Sequence, residues 1–239
     1  MLRFLFDEPE RQASGRLGET FELMDQFVLL IRKRMAAGNA AADHNKLCSY
    51  EVWTLGLSAS LNELEQSCYA ARRYRESITS ELVSQMTAEE KLAYSRHVYF
   101  DKNSFIRVFA LLDKLGILLN DLLGMRTERI KPHFSYFTVL RNMRESKAHP
   151  SLTFKLNALK EKTKEPINRL RKRRNTEIHY MNTEMQDDLA QCRITDGGLI
   201  KLENVQVQLN DLAQGLDMVT ESLRLTFQYA CSLMRSRQA

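Results

Sequence analysis

Between Lys155 and Arg174 the chain carries nine Lys or Arg against two Glu, although the formal net charge of all 239 residues is only +5. The run leads into Arg174-Asn175-Thr176-Glu177-Ile178-His179. A guanidinium is a planar fork that matches two phosphate oxygens and stays charged at any physiological pH. An imidazole titrates near neutrality and can take or give a proton. The pairing suits phosphate chemistry, with Arg174 on the anion and His179 moving the proton. Asn175, four residues before His179, shares its helical face. Upstream, Arg169, Arg171, Lys172 and Arg173 are candidates for tracking a nucleic-acid backbone. Phe154 is the one aromatic residue beside the run, too little to predict base stacking, so contact without sequence preference is the most it implies. A solvated helix face is the plainer reading of such a run.

Other chemistry is thinly represented. There is no Gly-x-Ser-x-Gly elbow, phosphate-binding loop, His-Glu-x-x-His or Glu-x-x-His. His44 with Cys48, and His97 with Asp101, are one helical turn apart, but two ligands do not make a metal site. No metal or cofactor is expected. A second Arg-x(4)-His string, Arg144 to His149, has Glu145 after its Arg, where a carboxylate repels phosphate, and Pro150 after its His. Arg141-Asn142 supplies an Arg-Asn pair, but seven residues separate Arg141 from His149. Arg174 and His179 are the better pair.

The elements that must position these residues read as helices. Gly and Pro number only nine and four, too few turns for a β sandwich or a glycine-looped parallel sheet. Leu17 to Met35 repeats apolar residues three and four apart. A second helix is predicted from near Ser49 to near Ser77. Thr87-Ala88-Glu89-Glu90 is a capping box that opens a shorter helix, and Asp101 to Gly124 reads as a separate, deeply buried one. Pro132 and Pro150 bracket a helix near Phe134 to Lys147. Another follows Ser151, and Thr163 to Pro166 starts the helix bearing the Arg-His pair. Ile194 and Leu199-Ile200 flank an Asp-Gly-Gly turn and suggest a small hairpin. From Val205 through Leu223 apolar residues alternate four and three apart, a heptad seam better explained as a packed bundle helix than as an intermolecular coiled coil. The prediction is one all-α domain over 1–239, an antiparallel helical bundle with a core from about 85 to 239, a long C-terminal helix and an N-terminal helical extension over about 15–80.

On the predicted helix, Ile167, Leu170, Arg174, Ile178 and Met181 share a face, so Arg174 lies in an apolar stripe while Arg171, Lys172 and Arg173 are expected to point to water. Glu177 or an acidic residue of a neighbouring helix is a candidate counter-ion for Arg174. Five residues at 100° each set Arg174 and His179 about 140° apart. They cannot converge on one atom unless the helix breaks or a second chain completes the site.

Composition bounds the setting. The cysteines at 48, 68, 192 and 231 form no Cys-x-x-Cys pair. Met1 to Glu10 turns acidic at Asp7 and Glu8 and lacks the apolar core of a secretion signal. Scattered thiols then fit a reducing, cytoplasmic location. The most apolar stretch, Phe105 to Leu123, contains Arg107, Asp113 and Lys114, so no membrane contact is expected.

The Arg174-to-His179 string, with Asn after the Arg and an amphipathic helix around it, resembles the Arg-x(4–6)-His motif of the HEPN family of helical domains. That resemblance implies a HEPN-like bundle that dimerises so that two motifs face each other across a two-fold cleft. It further implies metal-independent RNA cleavage, in which one His179 activates a 2′-hydroxyl, Arg174 stabilises the phosphorane and a second His179 protonates the leaving 5′-oxygen. The product would carry a 2′,3′-cyclic phosphate. A defence or toxin setting, with an antitoxin or regulatory protein as partner, belongs to the same resemblance. Some members place Tyr two residues after the His, where a partner nucleotidyltransferase modifies it; here Tyr180 follows directly and Met181 holds that position. The other reading open at this point is a non-catalytic helical module that binds nucleic acid or a protein.

Overall fold

The computed structural model describes residues 2–12, 14–38, 41–80, 82, 85–179 and 205–236. The protein is an all-α helical bundle, and no strand occurs among the described residues. Its helices are α1 (Gly15–Ala36), α2 (Ala41–Glu76), α3 (Ala88–Leu122), α4 (Tyr136–Glu145), α5 (Pro150–Lys162), α6 (Lys164–His179) and α7 (Val205–Ser236), with 3₁₀ turns at Leu2–Phe6 and Thr127–Arg129. The hairpin expected near 194–200, Cys192, Tyr180 and Met181 lie outside the described residues.

The chain forms two compact units, and α2, α3 and α7 each lend a stretch to both. The first comprises Met1–Arg11, Glu63–Val108 and Lys164–Leu216. Ile78, Met86, Ala93, Tyr94, Val98 and Val205 form one of its apolar clusters. The Leu2–Phe6 turn is strapped to α2: Leu2 N–H donates to Gln66 Oε1 (2.7 Å), Arg3 forks onto Glu65 (2.7 and 3.2 Å), and Phe6 lies against Tyr69 and Tyr74. The capping box is present, with Thr87 N–H donating to Glu90 and Glu90 N–H to Thr87 Oγ1 (3.0 and 3.1 Å). Glu90 also accepts from Thr79 and Ser80, and these hydrogen bonds, led by the Thr79 hydroxyl, hold its carboxyl far below the usual range.

Two expectations fail on length. The helix opened by Thr87 does not stop before Asp101; it is one element to Leu122. The sequence places a boundary at Asp101, but that residue is fully buried in mid-helix. Likewise α2 begins at Ala41, about two turns before Ser49.

The second unit comprises Gln12–Asn62, Phe109–Thr163 and Asp217–Ala239. Phe27 of α1 meets Phe227 of α7 edge-on, with centroids 5.4 Å apart. Tyr136 is fully buried and its hydroxyl donates to Ser222 Oγ (3.0 Å). Most of the heptad seam of α7 is buried within the chain, at Val205, Leu212, Val219, Leu223, Phe227, Ala230 and Met234, while Leu209 and Leu216 are half-buried.

In this unit α3 and α4 touch at Gly116, where an added Cβ would lie 2.8 Å from Tyr136 Cα and 2.9 Å from Tyr136 N. Backbone cannot yield as a side-chain tip can. Gly116→Ala is therefore expected to destabilise the protein by about 1–3 kcal/mol, as overpacked sites do, although alanine is the better helix former. Urea unfolding checks this, and an unchanged midpoint would contradict the contact.

Candidate functional site

Helix α6 follows α5 after the single residue Thr163, whose hydroxyl donates to Leu159 O (2.9 Å) and helps close α5. Pro166 sits in the first turn of α6, where its missing N–H costs no helical bond. Ile167 and Leu170 are buried, and Leu170 packs so tightly on α7 that a Cβ at Gly215 would lie 2.8 Å from its Cδ1.

Beyond Leu170 the helix is held by charge. Arg169 forks onto Asp211 of α7 (2.8 and 2.6 Å), a carboxylate 4% exposed. Arg173 donates to Asp101 of α3, and its guanidinium lies over the Phe105 ring, 4.9 Å from the centroid. One turn on, Glu177 pairs with Lys102 (3.1 Å). Adjacent residues of α3 thus grip α6 at Arg173 and Glu177.

These contacts correct one reading. Arg173 does not point to water: its side chain is 19% exposed and meets a carboxylate that is 0% exposed. Glu177, one candidate partner for Arg174, pairs with Lys102. Arg171 bonds Asn168 Oδ1 (3.2 Å) at the surface, and Lys172 is exposed.

The apolar stripe leaves the core within the last two turns of α6. Arg174 and Asn175 are half-buried, Ile178 is 52% exposed and His179 is exposed at the terminal described turn. The helix is continuous from Lys164 to His179, so Arg174 and His179 stay on different faces, and one copy does not bring them together.

His149 sits elsewhere in role. It is the N-cap of α5 in left-handed backbone, φ 46°, and its Nδ1 lies 2.7 Å from the Tyr229 hydroxyl. His97 and Asp101, a weak metal pair on spacing, are both fully buried. Among the described residues no three His, Cys, Asp or Glu group as metal ligands. Asp101 is the residue that sequence reasoning misassigned. An acid among Val98, Phe105 and Val108 needs a cation, and the basic run was there to supply one.

His97 gives a pH test of this region. Its Nδ1 donates to Ala71 O (2.8 Å), and burial pushes its imidazole below the ordinary value of 6.5, with Arg173 acting in the same direction. Below pH 6.5 the unfolded chain takes up a proton that the folded chain resists. The stability from this group is thus full above pH 6.5 and lost as pH falls toward the depressed folded value. Urea midpoints should drop between pH 7.5 and about 5.5, and less so in His97→Gln. Equal drops in both would place the effect on other groups.

The family model described as Cthe2314-like HEPN matches residues 53–231, about three quarters of the chain. No curated protein and no solved structure matches. No helix among the described residues is long and apolar enough to cross a membrane.

Proposed function

Since this chain belongs to the Cthe2314-like HEPN family, we propose that it is a metal-independent endoribonuclease whose site is completed by a second copy of itself. The observation that carries this reading is the exit of α6 from the core. Its scaffold cations Arg169 and Arg173 are held by Asp211 and Asp101, while Arg174, Asn175 and His179 lie on the turns that emerge. A two-fold axis beside those turns would set each Arg174 near the partner's copy of the motif without bending either helix.

The chemistry uses only these side chains. Neutral His179 accepts the ribose 2′-hydroxyl proton as the oxygen attacks phosphorus. Arg174 bears the charge growing on the phosphorane oxygens, and Asn175 positions the phosphate. Protonated His179 of the second copy gives its proton to the departing 5′-oxygen. The bond to the 5′-oxygen breaks and a 2′,3′-cyclic phosphate remains. Arg171 and Lys172 add backbone contact. A cytoplasmic defence or toxin role, kept in check by an antitoxin or regulatory protein, fits such an activity.

Mixed RNA incubated with the purified protein in EDTA is expected to yield fragments ending in cyclic phosphate, and light scattering at micromolar concentration to give a homodimer. A strictly 27.8 kDa species that cuts no RNA would sink the proposal. The alternative, a non-catalytic helical module binding nucleic acid or protein, draws on the same ion pairs, which spend two of the run's cations inside the fold.

A further inference from the structure

A surface suited to meet a polyanion lies in the second unit, at the corner between α4 and α5. From Arg141 to Asn157 the chain has four cations, Arg141, Arg144, Lys147 and Lys155, against one carboxylate, Glu145. All four cations are exposed, and among the described residues none is held in an ion pair. That contrasts with α6, where Arg169 and Arg173 are locked onto carboxylates.

The corner is rigid. Lys147 and His149 both adopt left-handed backbone, φ 52° and 46°, which side-chain-bearing residues hold only when their surroundings dictate it. The surroundings do: Ser146 N–H donates to Asn142 O (2.9 Å), Ala148 N–H to Met143 O (3.1 Å), and His149 is tied to Tyr229. Asn142 in turn bonds Met125 O and Thr127 Oγ1 (3.0 Å each), fixing the end of α4 from behind.

An exposed aromatic residue, Phe154, stands next to Lys155 on the helix that this corner opens. Phe154, in the second turn of α5, is 77% exposed, while its neighbours Leu152, Thr153 and Leu156 are buried. Burying such a ring against another apolar face is worth more than leaving it in water, so its position has no core explanation. Cations on a rigid backbone corner and an exposed ring on the helix that follows are the two parts of a single-strand platform, in which phosphates meet the charges and an unstacked base lies on the ring. A duplex keeps its bases stacked and cannot use the ring.

We propose that this corner binds single-stranded RNA, with Arg141, Arg144, Lys147 and Lys155 on phosphates and Phe154 under a base. The choice of RNA over another single-stranded polyanion rests on the ribonuclease reading; the surface itself does not.

The test is fluorescence anisotropy with a short labelled 2′-O-methyl oligouridylate, which lacks the attacking hydroxyl and stays intact. Arg141→Gln/Arg144→Gln/Lys147→Gln is expected to weaken binding and to flatten the log–log salt slope by about 0.7 per lost contact, roughly 2 in all. Phe154→Ala should weaken binding about fivefold to a hundredfold with the slope unchanged, and Phe154→Trp should restore it. Duplex RNA should bind more weakly, and polyglutamate should not displace the oligonucleotide. Thermal unfolding matching wild type shows that these surface variants fold. Unchanged affinity in either the triple variant or Phe154→Ala, or displacement by polyglutamate, overturns the proposal. Cleavage assays run alongside separate the two readings. Tight binding at this corner with no cleavage sinks the nuclease and leaves the platform, whereas cleavage by variants that also bind like wild type sinks the platform and leaves the nuclease.

Discussion

Replacing His179 by alanine is expected to abolish RNA cleavage, a fall of about 10² to 10⁴-fold for a positioned acid–base group, while fold and assembly persist. His179 is exposed at the end of α6, so its removal opens no cavity and breaks no packing. The comparison residue is His149, whose ring is engaged by the Tyr229 hydroxyl at the N-cap of α5. His149→Ala should therefore leave cleavage nearly intact. Arg174→Ala should lower cleavage and, because Arg174 is half-buried beside the apolar stripe, also cost some stability. Initial rates on one RNA, with unfolding curves for each variant, measure all three. Loss of activity in His149→Ala with retention in His179→Ala would place the chemistry at the other motif.

The largest effect on stability is expected at Asp101. Its carboxylate is fully buried and holds Arg173, whose guanidinium is mostly buried too. Breaking a buried pair from one side typically costs about 3–5 kcal/mol, because the charge left behind has lost its water without keeping its counter-ion. Asp101→Ala should fall in that range. The double variant Asp101→Leu/Arg173→Met should recover most of it, since apolar residues of similar volume dispense with both desolvation costs. Guanidinium chloride unfolding of the three proteins completes the cycle. A loss below about 1 kcal/mol in Asp101→Ala would mean that water reaches the pair and screens it as at a surface. The result bears on the proposed site, since this pair and Lys102–Glu177 hold the turns of α6 that carry Arg174 and His179.

Much of the architecture was legible because it is local. The Thr87–Glu90 box joins residues three apart, and both of its hydrogen bonds form as the spacing predicts. Pro132 and Pro150 bracketed α4, and the three-and-four alternation from Val205 foretold α7 and its buried seam. The family could be named from Arg174, Asn175 and His179 on an amphipathic helix, and the match over residues 53–231 agrees.

What the tertiary structure decided is which charges meet. Arg169, Arg171, Lys172 and Arg173 look alike in sequence, yet two are bound to carboxylates 42 and 72 residues away and two face outward. Asp101 read as a helix boundary and became a buried anchor. Phe154 reads as a lone aromatic beside a basic run, and the structure leaves its ring exposed while Leu152, Thr153 and Leu156 around it are buried. Periodicity, caps and prolines act through neighbours a few residues apart, so the chain itself carries them. An ion pair across helices depends on where distant backbone is placed and on how much water is left there, and the linear order of residues does not contain that quantity.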